Sequence, residues 1–273
     1  MNQPDPIYTQ VRQAFDRSAA SYDEAAVLQR HVADGLVDRL KELNPGAEAI
    51  LELGCGTGYL SGLLHEAFPT ASIVASDLSP GMLTRGASPG YRVCCDAHKI
   101  PFKNNSFDLI VSSMTLQWCD YEEVFSEVRR LLKKEGMWMF TTVGPDTLKE
   151  LRQAWRAVDA NPHVHEFVDM HHLGDCLLKL GFIDPVLDIE RVTMEYESVS
   201  TLLKDLRQLG VVNQHGERRR GLTGRRMYQA FVKSYEDMRT SSGALPSSWE
   251  IIFGQAMASE HDLGVSIQVN QTK

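Results

Sequence analysis

Ile50-Leu51-Glu52-Leu53-Gly54-Cys55-Gly56-Thr57-Gly58 decides how the rest of the chain is read. A short apolar run ends in three alternating glycines, and a helical pattern starts at once with Leu60. Glycines are needed where backbone must approach a ligand closely or adopt positive φ. A strand, a glycine loop and a helix in that order place the loop at the carboxyl end of the first strand, where doubly wound sheets bind nucleotides. The same residues also suit a plain strand-to-helix turn. A dinucleotide fingerprint has glycine at its first, third and sixth positions. Here the sixth position is Tyr59, which disfavours NAD.

Outward from this loop, short apolar runs alternate with helical patterns from Ala49 to about Arg191, as parallel βαβ units require. Strands are expected at Ala49–Leu53, Ser72–Ser76, Tyr91–Cys95, Phe107–Ser112, Met137–Thr142 and Val186–Arg191. Helices are expected at Leu60–Ala67, Tyr121–Lys133, Asp146–Val158 and Met170–Leu180, the last closed by Gly181. Residues 7 to 43 read as one or two amphipathic helices broken near Ser18 to Asp23 and ended by Asn44-Pro45-Gly46. Beyond Arg191, Val199–Leu209 and Thr223–Met238 look helical, and Ser248–Phe253 returns as a last strand that closes the sheet. The expected fold is therefore α/β and Rossmann-like, with a mostly parallel seven-stranded sheet. Its parts are an N-terminal helical lead-in and lid (1–45), a cofactor-binding core (46–191), a helical insertion over the acceptor site (192–247), and the last strand with a tail (248–273).

Composition narrows the class. A length of 273 residues suffices to bury a substantial core. The five cysteines are scattered without zinc-ligand or redox spacing, so they read as reduced thiols in a cytoplasmic protein. No apolar run reaches the roughly 18 residues of a membrane span, and the N-terminus has no signal-peptide pattern. A net charge of −8 argues against a general nucleic-acid binder. One basic cluster stands out: Arg218, Arg219 and Arg220 with Arg225 and Arg226.

Further site candidates follow from position. Asp77 ends the second strand about 20 residues beyond the loop, where a carboxylate can accept hydrogen bonds from ribose hydroxyls. Asp is also a good N-cap, and a helix after Ser79-Pro80 offers that second role. Asp96-Ala97 ends the third strand in the same manner.

With Glu52 before the glycines, the loop resembles the first motif of class I methyltransferases. The chain also resembles that family at Asp77, at Asp96-Ala97, through Pro101–Ile110, at Ser112–Trp118 and along Val128–Gly136. The resemblance implies S-adenosylmethionine as cofactor. Its site would draw on Glu52, Gly54, Cys55, Gly56, Gly58, Asp77, Leu78, Met82, Asp96, Ala97 and Met114. The loop would face the amino-acid and ribose parts, and Asp96-Ala97 the adenine.

Nearly the whole chain resembles one branch, the malonyl-acyl carrier protein O-methyltransferases of biotin synthesis. The carriers are Ala14–Asp23, Leu28-Gln29-Arg30, Leu116-Gln117-Trp118, Phe140–Leu151, Ala154-Trp155, His163-Val164 and Gly221–Arg225. His165-Glu166-Phe167 departs from that branch, which more often shows an Asn-Arg-Phe-like run there. The resemblance implies methyl transfer to the free carboxylate of a malonyl thioester on acyl carrier protein, or on coenzyme A. Such a carboxylate is ionised near neutral pH, so no general base is required. A cation to hold its second oxygen is expected, with Arg152 and Arg207 as candidates.

Tyr22 and Phe15 are candidates to close over the cofactor, or else an aromatic pair packing one helix face. An acidic carrier would dock on the arginine cluster Arg218, Arg219, Arg220, Arg225 and Arg226. The histidines His163, His165, His171 and His172 read as loop and helix-surface residues, not as metal ligands. Two other functions compete. One is an assembly factor resembling the arginine-hydroxylating assembly proteins of respiratory complex I, which share Asp146-Thr147-Leu148-x-Glu150-Leu151. The other is a C-methyltransferase on a quinone-like lipid, which would need a base.

Overall fold

A computed structural model describes residues 6–86, 90–209 and 224–259. Its sheet has seven strands: β1 (Ala49–Leu53), β2 (Ser72–Asp77), β3 (Tyr91–Cys94), β4 (Phe107–Ser113), β5 (Leu132–Val143), β6 (Phe182–Tyr196) and β7 (Leu245–Ala258). The order across the sheet is β3-β2-β1-β4-β5-β7-β6. β1 pairs in parallel with both β2 and β4, and β4 with β5, whereas β7 runs antiparallel to β5 and β6. The order reverses between β1 and β4, so the carboxyl ends of these strands frame the crevice that open α/β sheets use for ligands.

The helices are α1 (Pro6–Ser18), α2 (Tyr22–Ala25), α3 (Val27–Leu43), α4 (Tyr59–Ala67), α5 (Pro80–Arg85), α6 (Tyr121–Leu131), α7 (Lys149–Arg156), α8 (Met170–Lys179), α9 (Val199–Gln208) and α10 (Arg225–Glu236). Alternation along the strands divides the core between the two faces of the sheet. On one face Leu36 and Leu40 of α3, Leu64 of α4 and Phe231 of α10 join Val111, Met139 and Ile251. On the other, Phe125 of α6 and Leu177 of α8 join Ile110, Trp138, Phe140 and Ile252. Both faces are covered, which is why β1 and β4 read as nearly continuous apolar runs. Among the described residues no helix is long and apolar enough to cross a membrane.

The expected elements are present with shifted bounds. β7 is not an edge strand: it inserts between β5 and β6, so β6 takes the edge. β6 and β7 also run further than expected, because their antiparallel pairing continues from Val192↔Trp249 to Tyr196↔Leu245. The helical insertion is correspondingly shorter than 192–247. α7 starts three residues later than expected, after a loop in which Leu148 adopts φ 56°. The short helix α5 falls where the sequence offered a capping role to Asp77, but the cap is Ser79, whose hydroxyl accepts the Met82 N–H.

Insertion of β7 requires a residue without a side chain beside Phe140. Gly254 faces Phe140 across β5 and β7, and a Cβ there would lie 2.3 Å from the fully buried Phe140 ring. Gly254→Ala should therefore lower unfolding stability by about 1–3 kcal/mol, measured by urea denaturation. An unchanged midpoint would show that the ring has room to move aside.

Candidate active site

The glycine loop is fastened to the end of β2 by backbone bonds. The N–H groups of Gly54 and Cys55 both donate to the Ser76 carbonyl, at 2.8 and 2.9 Å. Gly54 has φ 70°, and a Cβ there would collide with the Thr115 hydroxyl at 2.1 Å, so the first glycine is required on both counts. Asp77 completes the fastening: Gly56 N–H donates to its Oδ2 at 2.9 Å and Ser79 N–H to its Oδ1 at 2.7 Å. Burial pushes the Asp77 carboxyl upward, and these N–H groups oppose that shift.

Above this loop lies a cavity that opens to solvent. Its floor is made by Gly54, Gly56, Asp77, Leu78, Met82, Asp96, Ala97 and Met114, and its roof by Tyr8, Val11, Arg12, Phe15 and Tyr22 of the lead-in helices. Asp16 of α1 accepts the Ser79 hydroxyl and the Gly81 N–H, and Asp23 accepts the Thr57 hydroxyl at 2.6 Å. The roof is thus clasped at two points. Phe15 sits edge-on to Trp118 at 5.8 Å and tilted to Tyr22 at 6.5 Å.

At the far end of the cavity, Asp96 Oδ1 accepts both the backbone N–H and the Nδ1 proton of His98. The Asp120 N–H donates to His98 Nε2 at 2.9 Å, which leaves the ring proton on Nδ1. The His98 hydrogen bond holds the Asp96 carboxyl below its ordinary range. His98 also packs its ring 4.6 Å from Tyr8. Sequence reasoning passed over it, although its place two residues after Asp96 is the spacing of an Asx-type turn.

Two further chambers adjoin this cavity. One, of about 470 Å³, is lined by Glu52, Cys55, Gly54, Gly56 and Ser113. Glu52 is 1% exposed and accepts the Ser61 hydroxyl. No ion pair reaches it among the described residues, and burial pushes its carboxyl up to about 7. Burial also drives the Cys55 thiol upward, so it is no nucleophile. The other chamber, of about 430 Å³, is lined by Phe15, Tyr22, Gln29, Met114, Gln117, Trp118, Val143, Leu148, Phe167, Leu209 and Trp249. None of these side chains carries a charge. Tyr22 lines all three spaces. Met114, at the junction of the first and third, has φ 53°, held by its N–H donating to the carbonyl and hydroxyl of Thr141. Such a backbone costs about 1–3 kcal/mol and is found where a site requires it.

The structure does not bring the two arginine candidates to these chambers. Arg152 braces the loop before α7, donating to the carbonyls of Pro145 at 3.0 Å and Thr147 at 3.2 Å. Arg207 lies in a separate open cleft with Arg17 and Lys204, between α1 and α9. Gly58 precedes α4 with φ 90°. Arg225 and Arg226 are exposed in the first turn of α10, while Arg218, Arg219 and Arg220 fall outside the described residues. His163 stacks on Trp155 at 3.9 Å and bonds Asp159 at 2.8 Å, which accounts for it as packing.

Glu52 has a measurable consequence. Its folded-state value of about 7 lies above the ordinary 4.5, so the folded chain keeps a proton that the unfolded chain has lost. Stability from this group is complete below about pH 4.5 and is lost as pH rises through about 7, by up to about 3 kcal/mol. Glu52→Gln should therefore melt at a higher temperature than the parent at pH 8 and nearly level with it at pH 4.5. Scanning calorimetry at both values tests this, and equal differences at the two would contradict a protonated carboxyl.

The Methyltransferase domain family matches residues 51–140. The malonyl-[acyl-carrier protein] O-methyltransferase of Laribacter hongkongensis is 40% identical over 263 residues, covering 91% of this chain and 88% of that one. The protein of the same name from Nitrosospira multiformis is 40% identical over 269 residues, covering 90% and 87%. That from Legionella pneumophila is 39% identical over 257, covering 92% and 90%. Among solved structures, the YcgJ protein from Bacillus subtilis matches with a TM-score of 0.58 at 15% identity, over 84% of this chain and all of that one. A putative methyltransferase from Bacillus halodurans matches with 0.58 at 16%, over 82% and 98%. These two show the fold alone. The likeness in sequence extends well beyond the matched domain into the lead-in and insertion helices, and the chain belongs to the malonyl-[acyl-carrier protein] O-methyltransferase family, a methyltransferase with S-adenosylmethionine as its methyl donor.

Proposed function

We propose that this enzyme methylates the free carboxylate of a malonyl thioester carried by acyl carrier protein, an early step of biotin synthesis. The observation that carries this reading is the uncharged aromatic chamber beside the cofactor cavity, which shares Phe15, Tyr22, Met114 and Trp118 with it. A carboxylate arrives already ionised, so its neighbours need to orient it and exclude water, and need move no proton. Among the described residues the only titratable group lining the chamber is Tyr22, and burial raises its hydroxyl far above neutrality. A carbon nucleophile would need a base, which speaks against methylation of a quinone-like lipid.

The three strand-end carboxylates fit S-adenosylmethionine. Glu52, withdrawn from water without an ion pair, suits an ammonium group. Asp77 suits the ribose hydroxyls, and Asp96, whose Oδ1 carries both His98 bonds, leaves Oδ2 for the adenine amino group. When bound, the cofactor supplies a methyl group on a sulfonium sulfur. Met114 and Tyr22 lie where the two spaces meet, so they bring the acceptor oxygen and the methyl carbon into line. Positioning of this kind contributes about 7–11 kcal/mol.

The carrier must approach a chain of net charge −8. Arg17, Lys204 and Arg207 line one cleft and make no ion pair among the described residues. Arg225 and Arg226 lie on α10, which packs against α9. Such a surface steers an acidic partner, and the steering weakens with salt.

Mass spectrometry of malonyl-carrier protein after incubation with S-adenosylmethionine tests the reading, which predicts one added methyl ester. An unmodified carrier would end it. Replacing Arg17, Lys204 and Arg207 together by Glu should raise KM for the carrier severalfold at low salt and less at high salt. Turnover of malonyl-coenzyme A should stay near that of the parent. Equal losses on both substrates would remove the docking role.

A further inference from the structure

We propose that the acceptor carboxylate is held by two neutral hydrogen-bond donors, the Gln29 side-chain amide and the Trp249 indole N–H, and by no cation among the described residues. This rests on the reading of the substrate as a carboxylate. Both residues line the uncharged chamber. Gln29 Oε1 and Trp249 Nε1 are withdrawn from water, and neither has a hydrogen-bond partner among the described residues. Trp249 as a whole is 6% exposed. Polar atoms left in this state are few in folded proteins, and each calls for an explanation. A ligand absent from the resting protein supplies one.

The chemistry of the two groups selects the ligand. An indole N–H can only donate, so its partner must be an acceptor. A glutamine amide turned about its last torsion exchanges its oxygen for an NH2 without altering its packing, and presents two donors to the same place. A donor-only group and an amide free to donate suit a group that carries acceptor oxygens and no proton. A carboxylate satisfies both.

The two residues arrive on independent, well-anchored elements. Gln29 stands in the first turn of α3. Trp249 is held in β7 between two residues that fasten the loop before α7. The Ser248 N–H and hydroxyl donate to Glu150, and the Glu250 carboxylate accepts the Asp146 N–H at 2.8 Å. The indole is therefore positioned by bonds that do not use its own nitrogen.

Neutral donors also suit the reaction better than an arginine. A guanidinium beside the nucleophile would draw off the charge that makes it attack, whereas amide and indole N–H groups orient an oxygen and leave the negative charge in place. The esterified product has lost that charge and accepts the same bonds more weakly, which favours its release. A site built on donors rejects analogues that lack the matching acceptor. The acetyl thioester, which lacks the carboxylate, is the analogue to test.

Calorimetric titration of the full-length enzyme, saturated with S-adenosylhomocysteine, against malonyl- and acetyl-carrier protein provides the test. The parent should prefer the malonyl form. Gln29→Leu and Trp249→Phe should each weaken malonyl binding by roughly tenfold to a hundredfold while acetyl binding stays unchanged, and Trp249→Phe should leave cofactor affinity unchanged. Trp249→Phe should melt no lower than the parent, since it deletes an unpaired buried donor. Gln29→Glu, which places a second negative charge in the chamber, should abolish the malonyl preference. A variant pair that keeps the full preference, or loses both carriers equally, overturns the assignment of these two residues. A parent that binds both carriers alike would instead overturn the carboxylate reading itself.

Discussion

The Asp77 carboxylate is the constraint from which the site is built. Its two oxygens accept the N–H of Gly56 in the glycine loop and of Ser79 at the start of α5, so one side chain sets the distance between β1, β2 and the helix after β2. Ser79 in turn caps α5 and binds Asp16 of the lead-in helix. Loop, strand end, capped helix and roof are thus links of one hydrogen-bonded chain. Burial of a charge is unfavourable unless such bonds compensate it, and here the compensating groups are the same backbone amides that shape the cavity.

Electrostatically, the site divides in two. The cofactor side holds Glu52, Asp77 and Asp96 at the carboxyl ends of β1, β2 and β3, and burial is the largest cause that raises Glu52 to about 7. Like charges at close quarters raise one another, and Asp77 adds to the shift of Glu52. A cationic ligand relieves Glu52 and Asp77, the two that are raised. Among the described residues the acceptor side has no charged lining residue, and its unpaired polar atoms belong to Gln29 and Trp249. Attraction toward the cation on one side and neutral donors on the other keep an anionic acceptor from being drawn to a protein arginine in place of the methyl group.

What the sequence made legible was local. The strand from Ala49 and the three glycines were readable because their chemistry depends on neighbours in the chain, and the strand periodicity located β1 to β5 within a few residues. The position of β7 was not readable, since pairing between β5 and β6 depends on Gly254 making room for Phe140, a contact between residues more than a hundred apart in the chain. Arg152 looked like a carboxylate clamp because guanidinium and carboxylate match in shape. Its site is instead fixed by the turn at Pro145 to Leu148, whose Pro145 and Thr147 carbonyls take up the guanidinium. His98 went unnoticed for the opposite reason: a lone histidine carries no pattern, and its role appears only when Asp96 and the Asp120 amide meet it from either side.

The segment Asp146-Thr147-Leu148-Lys149-Glu150, which lies outside the cofactor motifs, acquires a physical meaning from β7. Thr147 exchanges bonds with the backbone of Glu250, its hydroxyl donating to the Glu250 carbonyl at 3.3 Å and accepting the Glu250 N–H at 3.1 Å. Leu148 N–H donates to the Ser248 carbonyl at 2.7 Å and Glu150 binds Ser248. Gly144 is needed because a Cβ would strike the Glu250 carboxylate at 2.6 Å. These bonds press Leu148, in its left-handed conformation, and Trp249 into the wall of one chamber. The wall of that chamber is therefore made by a loop and a strand outside the glycine loop and the ends of β1, β2 and β3, so its shape can change while the cofactor-binding core stays as it is.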